Sequence, residues 1–520
     1  MYSNFSKPIK TNWLIPIWAC LMVAMLLCFS RLQAEERSFI VISDIHWNVF
    51  NGLDPAEFQE LTSLDVKEWP AFFKKLDQPV VKLGQDSNYT LMVSALAAAA
   101  KELPDSPFVI FPGDFMGHYW HKNYNALSTQ TIEENPEAFR DFTANVIQLM
   151  ADEFQKHFPN SVILPTLGND DAFCGNYWVQ PNGDFLSTFA DIWHPLLKDT
   201  INHAEFNKSF DAFGCYVADL PTFPNHQLIS LNTVLWSDSY CDIYHNPTEQ
   251  KVDCCDCTNN GTTPGAAQFV WFEEKLAAAR EAGKQVWLLM HVPPGMDGYM
   301  EAKADGKNSA AHFWTIDFTE RYQRLVERYH DTIQLSFAGH THKDGYRIDS
   351  ADNAPLLLHK IIPAISPVYD NNPAVQVYQV DAYSGDLKNW QTYYLDLEQV
   401  DKKAQKLQWN QEYDAGETYD LDAFNASTVF DLFQTIRNDL NSKYAKSYSR
   451  FWQVSASTIR ENDLPIHVCA ILETTFAEYR DCLTSHGLNE PKRAKNSAEL
   501  HRLSHGKATT KENKQLDHEL

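Results

Sequence analysis

The stretch IQLSFAGHTH, Ile333 to His342, is an apolar run that ends in a glycine and two histidines separated by one residue. A short apolar run with a polar end reads as a buried strand, and here both histidines fall where that strand finishes. Four other stretches repeat the pattern: SFIVISDIH (38–46), PFVIFPGD (107–114), SVILPTLGND (161–170) and QVWLLMH (285–291). Segments of helical composition lie between them, at 89–103, 136–157, 266–283 and 318–330. Strands alternating with helices predict an α/β core up to about residue 400. In open α/β sheets, ligands sit beyond the carboxyl ends of the strands. The five polar ends are therefore expected to meet at one metal site.

The residue types support that expectation. Asp44 with His46, and His340 with His342, have i, i+2 spacing, which puts each pair on one face if the strand persists. Gly113, Gly168 and Gly339 precede polar residues, where the missing Cβ lets backbone approach a compact centre. Each motif alone is weak. Five in this order, each ending an apolar strand, make an unlikely accident.

Composition narrows the function classes. The net charge of −25 is borne by the body of the chain, since the only charged residues before Glu35 are Lys7, Lys10 and Arg31. An acidic body repels nucleic acid and anionic lipid as a whole. The leader places Lys7 and Lys10 before the apolar run LIPIWACLMVAMLLCFS (14–30), followed by a small residue, Ala34. It is expected to be a signal peptide over residues 1–34, with an uncleaved anchor as the alternative. The body would then be exported (extracellular, periplasmic or lysosomal lumen), with no stable membrane insertion once the leader is removed. Eight cysteines remain outside the leader, an even number that predicts disulfides. The cluster CDIYHNPTEQKVDCCDC (241–257) admits a zinc site as the lesser alternative, and Cys469 with Cys482 would staple a terminal helical hairpin. Asn88, Asn207, Asn260 and Asn425 stand in glycosylation sequons.

The expected domains are a catalytic unit over 38–400, a helical subdomain over 401–488 and a disordered tail over 489–520. The terminal DHEL is a near miss to a retention signal.

The motifs D-x-H, G-D, G-N, H and G-H-T-H resemble those of the calcineurin-like metallophosphoesterases. A closer resemblance is to the acid sphingomyelinase-like phosphodiesterases, carried by GDFMGH, LISLNT, HVPPG, FAGHTHKDGY, PAISPVYDNNPAVQVYQVD and YRDCL. The resemblance implies a four-layer α/β/β/α sandwich with two metals between the strand ends. It implies that Asp44, His46, Asp114 and His342 hold one ion, and that Asp114, Asn169, His291 and His340 hold the other. A bridging carboxylate suits Asp114, and Asn169 adds a neutral oxygen. Mixed imidazole and oxygen donors suit Zn, with Mn or Fe as alternatives. Two such ions roughly 3.5–4 Å apart lower the pKa of a bridging water and clamp phosphoryl oxygens.

One position departs from the family. A histidine is expected after Asn169, where it would help protonate the leaving group, but Asp170 stands there. The remaining donor candidate is His118 of GDFMGH, with Asp170 expected to orient a ligand. Cations nearby should keep Asp170 ionised.

The expected activity is hydrolysis of soluble phosphodiesters or phosphoanhydrides of nucleotide type, by a monomer. Asp44 comes only ten residues after Ala34, which leaves no room for a lipid-extracting domain between them. The alternatives are a lipid phosphodiesterase, a polyphosphatase, or a metal-bound protein that binds without turnover. Tyr119, Trp120 and His121 are candidates for stacking on a base.

Overall fold

In the computed structural model the described residues are 36–241, 262–303, 309–310, 312–352, 354–400, 407–488 and 492–493. The leader, most of the tail and the cysteine cluster at 254–257 lie outside them.

Twelve strands build two six-stranded sheets. They are β1 (Glu36–Val41), β2 (Phe108–Phe111), β3 (Val162–Pro165), β4 (Tyr216–Asp219), β5 (His226–Ser230), β6 (Gln285–Leu289), β7 (Ile333–Ala338), β8 (Gly345–Ala351), β9 (Ala354–Ile361), β10 (Ala374–Asp381), β11 (Leu387–Leu395) and β12 (Trp409–Asp414). The first sheet has the order β12-β11-β10-β1-β2-β3 and the second β4-β5-β6-β7-β9-β8. β1, β2 and β3 are parallel, as are β5, β6, β7 and β9. Antiparallel strands flank both runs.

The central strands read as continuous apolar runs because both faces are covered. Phe39 of β1 stacks on Phe108 and Tyr378 within its own sheet. It also meets Trp287 and Phe337 of the other sheet, at 5.4 and 5.8 Å between ring centroids. The outer faces are covered by helices: Tyr89–Glu102 on β10, Asp184–Leu197 on β3, Thr262–Glu281 on β6 and Ala426–Asn438 on β9. The result is the expected four-layer sandwich, with a helical C-terminal region.

Two expectations need correction. Residues 401–488 are not wholly helical, because β12 lies within them and closes the edge of the first sheet. Nor are all the cysteines paired: Cys215 is buried and free. Cys174 and Cys241 are disulfide-bonded. Cys469–Cys482 joins the helices Leu464–Leu472 and Phe476–Ser485, as expected for the terminal hairpin. No helix among the described residues is long and apolar enough to cross a membrane.

Candidate metal centre

Both sheets deliver residues to one place. Asp44 and His46 follow β1, Asp114 follows β2, Asn169 follows β3, His291 follows β6, and His340 and His342 follow β7. The strands do not persist through these residues: β1 stops at Val41 and β7 at Ala338. The i, i+2 pairs therefore do not share a strand face. Asp44, His46, Asp114, His340 and His342 instead take left-handed backbone, with φ from 41° to 72°. Such conformations are uncommon outside glycine, though Asp and His tolerate them better than most, and they persist where surrounding structure over-determines them.

Here the surroundings are backbone-to-carboxylate bonds. Asp171 accepts the N–H groups of Asp114, Phe115, Met116 and Gly168 at 2.8–3.3 Å. Asp44 Oδ1 accepts the N–H of His340 at 2.9 Å, tying β1 to β7. Glycines are needed for this closeness. A Cβ on Gly168 would lie 2.0 Å from Asp114 Oδ1, and one on Gly339 would lie 2.6 Å from Asp44 Oδ2.

Two donor groups result. In the first, His342 Nε2 lies 3.0 Å from His46 Nε2 and 3.5 Å from Asp44 Oδ1, and His46 Nε2 lies 3.3 Å from Asp114 Oδ2. In the second, His291 Nε2 lies 2.9 Å from both Asp114 Oδ2 and Asn169 Oδ1. His340 Nδ1 reaches the same Asn169 oxygen at 2.8 Å. Asp114 Oδ2 belongs to both groups.

The donor set fits divalent cations. His46 and His291 each direct Nδ1 at a backbone carbonyl, of Met116 and Pro112, so a neutral ring at either position points a bare Nε2 inward. Around His291 three acceptor atoms then converge, and only a cation or an imidazolium proton reconciles them. Burial alone would lower the His291 imidazole, but the Asp114 carboxylate outweighs it and raises the pKa to about 9. His340 is lowered to about 3 by burial and by His291, and His342 falls well below its usual value through burial and His46. Both are thus neutral, as metal ligation requires.

His118 stands beside the first group, stacked on His46 at 4.2 Å. Its Nδ1 is 2.9 Å from Asp86 Oδ1, and its backbone N–H donates to Asp86 Oδ2 at 2.8 Å. Burial opposes its charge, but Asp86 and then Asp170 raise the imidazole to about 10. Asp86 is lowered in return: burial works against ionisation, and His118 more than offsets it. Asp86 was not singled out in the sequence, since GQDSNYT carries no metal or strand-end signal.

Asp170 sits inside the centre. Its Oδ2 accepts the Asn169 amide at 3.1 Å and lies 3.7 Å from His118 Nε2. Asn176 Oδ1 accepts the same amide at 2.9 Å, and the two acceptors together keep Asn169 Oδ1 aimed at His291 and His340. In the protein alone, burial raises Asp170 to about 6 against the pull of His118, and cations beside it would draw that value down.

The aromatic stretch after His118 divides. Trp120 and His121 are buried, bonded to Thr143 Oγ1 and the Phe173 carbonyl, so they are not stacking surfaces. Tyr119 alone is exposed. Tyr177 and Tyr369, not anticipated, border the site through contacts with His340 Nε2 and His118 Nε2 at 3.3 and 3.4 Å.

Residues 354–489 match the family described as acid sphingomyelin phosphodiesterase C-terminal region. The human acid sphingomyelinase-like phosphodiesterase 3b is 25% identical over 474 residues, covering 88% of this chain and 92% of that protein. The chain resembles the acid sphingomyelinase-like phosphodiesterases over most of its length. Human cyclic GMP-AMP phosphodiesterase SMPDL3A is 26% identical over 412 residues, covering 76% of this chain and 80% of its own length. Sphingomyelinase phosphodiesterase D of Dictyostelium discoideum is 24% identical, with 89% and 98% covered. Among solved structures, a dimetal phosphatase from Danio rerio aligns with a TM-score of 0.40 at 12% identity, over 69% of this chain and 95% of its own.

Proposed function

We propose that this protein is an exported phosphodiesterase that hydrolyses soluble phosphodiesters or phosphoanhydrides of nucleotide type at a pair of divalent cations. The observation that carries this is the double donor set sharing Asp114 Oδ2. Asp44, His46, Asp114 and His342 would hold one ion, and Asp114, Asn169, His291 and His340 the other. Zn suits the mixed imidazole and oxygen donors, with Mn or Fe as alternatives. Bound there, the pair would supply Lewis acidity toward the phosphoryl oxygens and a nucleophile at moderate pH.

The chain's own residues do the rest. His118 keeps a proton on Nε2 while Asp86 accepts from Nδ1, which aims the ring at the leaving oxygen. Asp170 orients Asn169 and adds its charge beside His118. Aspartate in the histidine position leaves one imidazole proton donor, and the Asp86 pairing keeps that donor charged. The disulfide Cys469–Cys482 accords with an exported protein.

A lipid phosphodiester is the second reading, favoured by the similarity to a protein named sphingomyelinase phosphodiesterase D. The test combines elemental analysis with turnover of bis(p-nitrophenyl) phosphate, ATP, CDP-choline and detergent-dispersed sphingomyelin. Two equivalents of divalent metal and preference for the nucleotides are expected. Metal-loaded protein inert from acidic to neutral pH would sink both enzymatic readings.

A further inference from the structure

Tyr119 follows the proton-donor candidate directly, and its backbone is left-handed (φ 56°), a rare conformation for a bulky side chain. The helix Trp120–Leu127 begins at once after it. The Asn123 N–H donates to the Tyr119 carbonyl at 2.9 Å, and Asn123 Nδ2 donates to the His118 carbonyl at 3.2 Å. Held this way, the Tyr119 ring is turned outward and is 68% exposed.

Large apolar side chains rarely stand free in this molecule. Among the described residues the exposed ones are Tyr119, Val270, Tyr369 and Tyr383. Two of these four border the same histidine, with Tyr119 and Tyr369 at 6.4 and 5.8 Å from the His118 ring. Tyr369 arrives from a distant part of the chain. Its carbonyl is anchored by Lys343 Nζ at 2.6 Å and Gln453 Nε2 at 3.2 Å. Both rings stand at the mouth of the site: Tyr119 faces water from left-handed backbone, and Tyr369 packs edge-on against His342 at 4.7 Å with one side still open. They present flat faces to a partner.

We propose that Tyr119 and Tyr369 form the walls of a slot that takes the planar base of a nucleotide substrate. The inference rests on the proposed phosphodiesterase function and names the group recognised beside His118. Its choice of a base over a quaternary ammonium group comes from Lys122, whose ammonium lies 5.9 Å from the Tyr119 ring centroid. A second cation on that ring would meet like-charge repulsion, whereas a neutral base would not. The same ammonium favours the anionic phosphate that accompanies the base.

The test is calorimetric titration of the metal-loaded protein with AMP, ribose 5-phosphate and phosphocholine. Wild-type protein is expected to bind AMP about tenfold or more tightly than ribose 5-phosphate, the size of one base–aromatic stack. Tyr119→Ala should bring that ratio towards one, and Tyr119→Phe should retain it. A wild-type ratio near one, a ratio unmoved by Tyr119→Ala, or a loss confined to phosphocholine binding would overturn the slot. Failure of the broader function reads differently: bis(p-nitrophenyl) phosphate would stay intact while the AMP ratio still decides the slot.

Discussion

At the scale of single residues, the proposed reading gives His118 the proton transfer that the family pattern shares between two histidines, and gives Asp170 the orientation of Asn169. His118 is fastened at its ring and its backbone by Asp86, which on the proposed reading turns Nε2 toward the leaving group. Replacing His118 with Gln is expected to lower kcat by about 10²–10⁴-fold while two equivalents of metal remain bound, as elemental analysis would show. Asp170→Ala removes one of the two acceptors of the Asn169 amide. That change should weaken metal affinity by up to about 10-fold, measured by chelator competition, since Asn176 Oδ1 still accepts the amide at 2.9 Å and the oxygen aimed at His291 and His340 loses one of its two supports. Asp171 stands one position further on but acts on backbone, gathering the β2 and β3 loops through four N–H groups.

Loops, not strands, are the elements that make the centre, and two glycines set how closely they approach. Gly168→Ala would drive a methyl group into Asp114. The expected outcome is a folded protein with little bound metal, seen by near-normal circular dichroism and metal content below one equivalent. A second element-level prediction concerns pH. Glu301, in the helix Gly298–Lys303, is buried with Oε2 unpartnered. Burial, and then Asp297, raise its pKa from 4.5 to about 7. The protonated form is the one the fold accommodates, so this stability is fully present below the unfolded value and is lost as pH rises through about 7. Glu301→Gln should therefore raise Tm by roughly 1–2 °C at pH 8 and change it little at pH 4, by scanning calorimetry.

For the whole molecule, the centre joins two sheets at their common carboxyl edge. β1 to β3 supply one set of donors and β6 and β7 the other, so cations there would tie the layers together. Adding a chelator should lower Tm as well as abolish turnover, and a Tm indifferent to chelation would argue against a shared centre. A second tie is buried and polar: Lys360 of β9 donates to Asp344 Oδ1 at 2.6 Å, while Gln376 of β10 and Tyr413 of β12 donate to Asp344 Oδ2. This network crosses from the second sheet to the first just behind His342.

The five strand ends were legible in the linear chain because an apolar run meeting Asp, Asn or His is a local pattern. The alternation of strands and helices was legible for the same reason, and so was the cysteine pair of the terminal hairpin. Asp86 was not, because its partnership with His118 spans 32 positions and leaves no trace in its neighbours. Nor was β12, whose residues WNQEYD carry little apolar signal and pair only as an edge strand. The left-handed turns at Asp44, His46, His340 and His342 use residue types that tolerate that conformation, but tertiary bonds decide which of them adopt it. Local chemistry therefore determined which donor side chains gather at the strand ends and in what order. Distance in space decided the rest: which atoms face inward, which carboxylate is shared, and which tyrosines stand at the mouth, since each depends on backbone that only the packed sheets hold in place.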